Sequence, residues 1–308
     1  MSTGVKVPSS TPRERIRAHI ALTKPRIVEL LLVTAVPTMF LAAQGLPTLQ
    51  ATVAVLVGGA LAAMGANTLN SVYDRDIDAI MHRTDKRPAA MGIISVRAGL
   101  FQGFVLSIAS AFFLLWWTNW VAAVLALVAI AAYAVGYTMW LKRRTAQNIV
   151  WGGAAGCMPV LIAWSAVTGS LTWTPVVLFL IVFFWTPPHY WPLAMKYKDD
   201  YAKAGIPMLP VLKSPEHVVV SIVRYSWVMV LVSLVLVPVA PMGPVYAVAA
   251  VVLGAVFLVE AYRLLGSARR EDPQINARAM RLFHYSITYL ALLFLAVAID
   301  PFVASPWS

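Results

Sequence analysis

The sequence predicts an all-α polytopic membrane protein, a bundle of nine transmembrane helices around a cytoplasm-facing cavity. Three observations lead to this prediction: the 308 residues are 60% hydrophobic, only 12% are charged, and the apolar residues fall in nine long runs. Soluble domains carry about 25% charged residues, roughly twice as many. Lipid can solvate the outer face of a helical bundle, whereas a soluble core could not hide so much apolar surface.

Each apolar run is long enough to cross a bilayer, which takes about 20 helical residues. The runs lie at 27–45, 50–73, 97–117, 120–141, 147–167, 173–195, 217–240, 243–265 and 281–302. We therefore expect a polar and basic N-terminal tail at 1–26, a single membrane domain at 27–302 and a short C-terminal tail at 303–308. The one cysteine, Cys157, excludes an intrachain disulfide.

The basic residues lie on one side of the predicted bundle. All 24 Lys and Arg residues fall in the N-terminal tail, in the loops after the even-numbered runs, or at the adjoining helix ends. This positive-inside pattern predicts a cytoplasmic N-terminus and an external C-terminus, in a bacterial plasma or inner membrane. The net charge of +11 then reflects topology and attraction for anionic lipid or substrate, and no nucleic-acid partner is expected.

An acidic cluster follows the second apolar run. Asn70, Asp74 and Asp78 are spaced four residues apart, so on a helix they share one face. Carboxylates at the end of a membrane helix are costly to desolvate and are usually functional or paired. Three oxygen-bearing side chains suit Mg²⁺, which commonly arrives with a diphosphate. The cluster therefore predicts a membrane enzyme with a diphosphate substrate, against the alternative of a solvated helix end.

Basic side chains around this cluster are candidates for holding phosphate oxygens. They are Arg83, Lys86 and Arg87 after the second run, Lys142 and Arg143 after the fourth, and Lys196 after the sixth. The competing interpretation is that these residues serve only as topogenic signals. Asp76 lies on the far helix face from Asp74, and we expect it to pair with a base such as Arg75 or Arg83.

A second polar patch follows the sixth run. Asp199 and Asp200, with Asp200 favoured, would let a second Mg²⁺ bridge the same diphosphate if this patch faces the first. The alternative is an acid pair that caps a helix. His189 lies within the sixth run. An intramembrane histidine can bind a metalloporphyrin iron, act as a base or pack through a hydrogen bond, and these alternatives stay open.

The motifs resemble a known family. Asn70-x3-Asp74-x3-Asp78, the Arg83-Thr-x-x-Arg87-Pro88 string and the nine spans resemble the membrane-embedded aromatic prenyltransferase (UbiA-type) superfamily. Five strings resemble its heme-farnesylating branch: Asp74-Arg-Asp-Ile-Asp78, Met81-x-Arg83-Thr84, Leu141-Lys-Arg-x-Thr145, Asn148-Ile-Val-x-Gly152-Gly153 and Asp200-Tyr-x-x-Ala204-Gly-Ile-Pro-Met-Leu-Pro210. The resemblance covers residues 20–300.

Two positions depart from the superfamily pattern. Many members carry a second Asp-x3-Asp, whereas Lys203 and Ala204 stand four residues after Asp199 and Asp200 here. Some members also place a tyrosine four residues before the lysine of the fourth span. Thr138 holds that place in this chain, and Tyr137 is five residues before Lys142.

The resemblance implies a transferase that moves the farnesyl group of farnesyl diphosphate to a vinyl group of protoheme IX (heme B), giving heme O. It implies Mg²⁺ held by Asn70, Asp74, Asp78 and Asp200, with Arg83, Arg87 and Lys142 stabilising the leaving diphosphate. His189 would orient heme through its iron. The expected partners are farnesyl diphosphate, heme B and membrane lipid, together with heme A synthase or a terminal oxidase assembly.

Three other functions remain open. A prenyltransferase of the same superfamily could act on a quinone precursor or a chlorophyll-type ring. A transporter or channel would carry charges near the membrane midplane, whereas the acids here lie at one rim. A non-catalytic assembly or heme-delivery protein would not need the acidic cluster.

Overall fold

The computed structural model describes residues 11–240 and 242–303, without the side chains of residues 26, 27 and 29–31. The described residues form helices and no strands. The helices are α1 (Pro12–Leu22), α2 (Pro25–Ala43), α3 (Leu49–Tyr73), α4 (Arg75–Asp78), α5 (Val96–Trp117), α6 (Trp120–Ala131), which continues as a π-helix at Ala132–Leu141, α7 (Asn148–Thr168), α8 (Trp173–Lys196), α9 (Lys198–Lys203), α10 (Leu209–Leu212), α11 (Pro215–Val239), α12 (Pro244–Arg269) and α13 (Ile275–Val303).

The predicted fold class is confirmed. Eight of the described helices are long and apolar enough to cross a membrane, and they coincide with eight of the predicted spans. The first predicted span coincides with α2, which has 19 residues and an apolar segment at Leu32–Ala43. The protein is therefore a multi-pass membrane protein whose helix number agrees with the nine predicted spans.

The elements that were not predicted include α1 and the π-helix. The helix α1 lies within the N-terminal tail, where only polarity was expected, and a capping box between Thr11 and Glu14 begins it. The π-helix lies at the end of the fourth span. The predictions for residues 1–10 and 304–308 of the two tails lie outside the described residues.

The long helices pack around a central space in two groups. One apolar core joins α2, α3, α5, α6 and α7, and the other joins α7, α8, α11, α12 and α13. The helix α2 contacts both α7 and α13, which closes the arrangement. The short connections at one end are almost uncharged, whereas the other end carries α1, α4, α9, α10 and the basic loops. We call the second end the charged end.

Small residues set the distance between α3 and α5. Lipid is as apolar as the helix surfaces, so close packing rather than the hydrophobic effect holds membrane helices together. A Cβ atom added at Gly65 would lie 2.6 Å from Ser107 Oγ, 3.0 Å from Ser107 N and 3.1 Å from Gly103 O. Two of these three atoms belong to the backbone, so a side chain at Gly65 would force the helices apart.

We expect Gly65→Ala to lower the free energy of unfolding by about 1–3 kcal/mol, the usual cost of overpacking. Gly59 lies on the same helix with nothing within 4 Å of an added Cβ. Gly59→Ala should therefore be neutral or stabilise by up to about 1 kcal/mol, because alanine favours helix. Thermal unfolding in detergent compares the two variants. Equal midpoints for both would contradict the packing argument.

Candidate active site

A cavity of about 490 Å³ lies between the helices and reaches the charged end. Its lining is chemically divided. Charged and amide side chains form one part, and aromatic side chains form much of the rest. The first group is Lys24, Asn70, Asp78, Arg83, Arg87 and Lys142, and the second is Tyr133, Tyr137, Trp185, His189, Tyr190 and Tyr201.

The acidic cluster keeps the predicted helical spacing across the junction of α3 and α4. The backbone N–H of Asp74 donates to Asn70 O at 2.9 Å, and that of Asp78 donates to Asp74 O at 2.8 Å. The exposed fractions of Asn70, Asp74 and Asp78 are 3%, 0% and 2%. The three side chains therefore share one face and are withdrawn from solvent, which raises the cost of leaving any charge unpaired.

Hydrogen bonds fix the orientation of the Asn70 amide. Its Nδ2 donates to Asp74 Oδ2 at 2.8 Å and to Thr138 Oγ1 at 2.9 Å. Its Oδ1 accepts from Lys24 Nζ at 2.5 Å. The Asp74 carboxylate can only accept, so the amide nitrogen of Asn70 lies on its side and the carbonyl oxygen faces Lys24. Thr138, which departs from the superfamily pattern, thus serves to orient a predicted ligand.

Basic groups neutralise the two buried carboxylates. Lys142 Nζ contacts Asp74 Oδ2 at 2.5 Å, and one nitrogen of Arg87 contacts the two oxygens of Asp78 at 2.9 and 2.8 Å. Removing one partner of such a buried pair typically costs about 3–5 kcal/mol, since the other charge is left uncompensated. Both bases were predicted as phosphate ligands, and the structure brings both into the cavity.

Lys24 also lines the cavity, although the sequence analysis placed it in the basic N-terminal tail. Burial lowers the pKa of Lys24 to about 7, with the neighbouring Arg87 cation acting in the same direction and Asp78 opposing it. Burial therefore disfavours the charged ammonium form of Lys24. An anion bound beside it would favour the charged ammonium form.

The donor set fits a magnesium ion that binds together with its substrate. Asp74 Oδ1 is buried and accepts no hydrogen bond, and Arg143 Nη2 is 3.6 Å away. Asn70 Oδ1 and the Asp78 carboxylate are the other oxygen donors on this face. Within residues 11–240 and 242–303, no three His, Cys, Asp or Glu side chains form a metal-binding group. Mg²⁺ commonly binds through one or two carboxylates plus substrate phosphates, which agrees with so few protein ligands.

The polar patch after the sixth span contacts the loop that follows the acidic cluster, through a hydrogen bond between Tyr201 and Arg83. The Tyr201 hydroxyl lies 2.8 Å from the Tyr190 hydroxyl and accepts from Arg83 at 3.4 Å. Burial raises the pKa of Tyr201, so this hydroxyl is neutral. Asp200 is 9% exposed and Asp199 is exposed, and neither is among the residues that line the cavity. The predicted role of these two acids in metal binding stays a prediction.

Four further candidates lie outside the cavity lining. Asp74 is behind Asn70 and Lys142, and it contacts both. Arg143 pairs with Asp76 through two contacts of 2.7 Å, so Asp76 pairs with a base as expected, but that base is neither Arg75 nor Arg83. Lys86 and Lys196 are exposed, and the Lys196 ammonium lies over the Tyr197 ring.

The π-helix explains the displaced tyrosine. Lys142 N donates to Tyr137 O at 2.8 Å, a five-residue spacing that a regular α-helix does not have. Tyr137 and Lys142 therefore both line the cavity, although five residues separate them. The Tyr137 ring stacks on Tyr133 with 5.7 Å between ring centroids. Gly152 leaves room for this ring, because a Cβ atom there would collide with it.

His189 is held rigidly in the aromatic part. Its ring lies between Trp185 and Phe283, with centroids at 4.1 and 4.7 Å. Its Nδ1 is 2.7 Å from Ser286 Oγ. The Ser286 hydroxyl donates its one proton to Phe283 O at 2.6 Å. Its oxygen must therefore accept a hydrogen bond from the Nδ1–H group of His189. The lone pair is then on Nε2, which has no hydrogen-bond partner within the described part of the chain.

A smaller apolar chamber of about 140 Å³ adjoins the cavity and shares Tyr133 and Gly156 with it. Small side chains dominate its wall, including Ala35, Ala62 and Ala66. The cavity and the chamber together provide an apolar space that begins beside the acidic cluster.

Comparison with known proteins gives one consistent family. Residues 31–287 match the model of the UbiA prenyltransferase family. A protoheme IX farnesyltransferase from Streptomyces avermitilis is 55% identical over 94% of this chain and 95% of its own length. A protein of the same name from Clavibacter sepedonicus is 52% identical, covering 96% and 98%.

Solved structures agree at the level of the fold. A digeranylgeranylglyceryl phosphate synthase superposes with a TM-score of 0.76 at 14% identity, covering 94% of this chain and 99% of that one. A UbiA homolog from Archaeoglobus fulgidus bound to GPP and Mg²⁺ has a TM-score of 0.63 at 17% identity, covering 91% and 99%.

Proposed function

The chain belongs to the UbiA prenyltransferase family, and from this we propose that it transfers the farnesyl group of farnesyl diphosphate to a vinyl group of heme B, giving heme O. The proposal rests on one observation: a single cavity carries acidic and basic side chains in one part, and His189 among aromatic side chains in the other. The names and the 52–55% identity of the relatives support heme as the acceptor.

The diphosphate binds at the charged part of the cavity. Arg83, Arg87 and Lys142 present guanidinium and ammonium donors to the phosphate oxygens, and Lys24 adds a fourth cation when it is protonated. Arginine can bind two oxygens at once, whereas lysine acts as a point charge. These donors stabilise the charge that builds on the leaving diphosphate, and they need no large reorganisation because they already surround the site.

Asn70, Asp74 and Asp78 would hold Mg²⁺, with Asp200 as a further candidate. When bound, the ion neutralises phosphate charge and favours departure of the diphosphate. The carboxylates hold Lys142 and Arg87 in place. The same residues therefore position the bases before the substrate arrives.

The aromatic and apolar walls protect the reactive allyl group. The C–O bond of farnesyl diphosphate breaks, and the diphosphate leaves with the electron pair. Tyr133, Tyr137 and Trp185 present ring faces that attract the resulting cation and exclude water from it. The farnesyl chain occupies the small-residue chamber next to Tyr133.

The vinyl group of heme attacks the allylic carbon, and its π electrons form the new C–C bond. A water molecule then adds to the remaining cation and releases a proton, which leaves a hydroxyethylfarnesyl substituent. Heme must present this vinyl group in one orientation. We assign that task to His189, whose Nε2 lone pair can bind the heme iron. The bond to Ser286 that fixes the tautomer is typical of metal-binding histidines.

The charged end faces the cytoplasm in this proposal. The Lys and Arg residues concentrate there, so the N-terminus would be inside and the C-terminus outside, in a bacterial inner membrane. Farnesyl diphosphate would then enter from the cytoplasmic side. Heme O would pass to heme A synthase or to a terminal oxidase assembly.

We expect purified protein, given heme B, farnesyl diphosphate and Mg²⁺, to form a heme product that carries farnesyl plus water. Mass spectrometry of the pigment measures it. EDTA should abolish the product, and so should Asp74→Asn or Asp78→Asn, because each removes an oxygen ligand with negative charge. Arg144→Gln is the matched control, since Arg144 is exposed at the same end of the π-helix and does not line the cavity.

The possible products separate the alternatives. Prenylation of a quinone precursor but not of heme would replace the acceptor and keep the family. Product formation that survives EDTA and both substitutions would remove the assigned role of the acidic cluster. No prenyl transfer to any acceptor by a folded protein would favour a transport or heme-delivery function.

His189→Ala should weaken heme B binding and change the visible spectrum of the bound heme, because the axial nitrogen is lost. Ser286→Ala keeps the His189 side chain but removes the hydrogen bond that fixes its tautomer. Loss of such a hydrogen-bond partner typically lowers metal affinity by about 10–100-fold, so we expect a loss of heme affinity in this range. His284→Ala is the control, because His284 is exposed and outside the cavity lining. An unchanged spectrum in His189→Ala would exclude iron binding by this residue.

A further inference from the structure

A groove of about 730 Å³ lies on the surface of the helix bundle near the charged end, separate from the active-site cavity. The helix α12 contributes most of its lining, with Trp227 from α11 and Arg278 from α13 at the sides. It shares no lining residue with the active-site cavity. The groove therefore has no part in the proposed reaction.

The groove changes from basic to apolar along its length. Arg263, Arg270 and Arg278 with Asp272 give its lining three positive charges and one negative charge, a net charge of +2. Arg278 contacts Asp272 at 3.3 Å and Arg263 contacts Glu260 at 2.6 Å, whereas Arg270 has no acidic partner among the described residues. A site with an unneutralised guanidinium attracts an anion, and phosphate is the anion that arginine binds best.

The apolar part of the groove lies towards the membrane interior. Ala255, Leu258 and Val259 form this wall, and Val259 is 49% exposed. The Trp227 indole nitrogen donates to the Tyr262 hydroxyl at 3.1 Å, which joins α11 to α12 between the two parts. Tryptophan and tyrosine favour the level of lipid headgroups. The groove thus matches the amphipathic profile of one lipid.

The length of the groove agrees with this match. Ala255 and Arg270 are 15 residues apart on α12 and its cap, about 22 Å at 1.5 Å per helical residue. One leaflet contributes half of a hydrocarbon core of about 30 Å. The groove therefore spans the acyl region of one leaflet and reaches the headgroup level at Arg270.

We propose that this groove binds an anionic phospholipid, with the phosphate at Arg270 and Arg263 and one acyl chain against Ala255, Leu258 and Val259. Basic pockets between membrane helices are known to hold acidic lipid headgroups. A free phosphate would use only the basic part and would leave the apolar wall uncovered.

Two variants test the two parts of the groove. Arg270→Gln removes the unpaired cation, and about 1 kcal/mol per basic residue near a membrane surface corresponds to roughly a fivefold loss of affinity. Gly266→Leu adds a side chain to the groove, because Gly266 lines it and an added Cβ there meets no atom within 4 Å. Arg269→Gln is the matched control. Arg269 is the neighbouring residue, but it pairs with Glu216 and does not line the groove.

Native mass spectrometry of the full-length protein, titrated with phosphatidylglycerol, gives the affinity of each variant. We expect tighter binding of phosphatidylglycerol than of phosphatidylcholine, a loss in Arg270→Gln and Gly266→Leu, and no change in Arg269→Gln. Thermal unfolding in detergent verifies that all three variants are folded. Equal affinities for the two lipids, or equal losses in Arg269→Gln and Arg270→Gln, would overturn the proposal. Displacement of phosphatidylglycerol by inorganic phosphate at millimolar concentration would also overturn it, in favour of a site for free anions.

Discussion

The buried contact between Asp74 and Lys142 is the interaction on which the candidate active site depends. It joins α3 to the end of the π-helix, and Asn70 joins the same network through Asp74 and Thr138. Burying two charges is costly, and mutual attraction repays the cost only with good geometry and further hydrogen bonds. In this protein the pair is nevertheless buried at the membrane boundary. A buried ion pair adds little net stability, so we attribute the network to function: it holds acids and bases in place for a charged substrate.

The rest of the cavity is arranged around this network. The π-helix brings both Tyr137 and Lys142 to the cavity, and Gly152 leaves space for the tyrosine ring. Arg83 and Tyr201 connect the loop after α4 to α9, so the two polar patches close the same end of the bundle. At the aromatic part, Ser286 fixes the ring of His189. Hydrogen bonds and ion pairs thus hold in place both the residues proposed to bind the diphosphate and the histidine proposed to bind heme.

Much of the fold and part of the site could be predicted from the sequence. Hydropathy and charge asymmetry are set by the bilayer, so the spans agree with the helices within a few residues. The spacing of Asn70, Asp74 and Asp78 also predicted a shared face. Lys24 and Tyr201 could not be predicted, because only tertiary packing brings them to the cavity. The pairing of Asp76 with Arg143 and the π-helix depend likewise on contacts between helices that are distant in sequence.

The most direct test of the account is the affinity for farnesyl diphosphate, measured calorimetrically with and without Mg²⁺ in the wild type, Lys142→Gln and Arg144→Gln. If the buried network holds the diphosphate, removing Mg²⁺ should weaken binding at least about tenfold, equivalent to 1.4 kcal/mol. Lys142→Gln should weaken it similarly, and Arg144→Gln should bind as the wild type does. Affinity that is independent of Mg²⁺ and equal in the two variants would contradict the central claim.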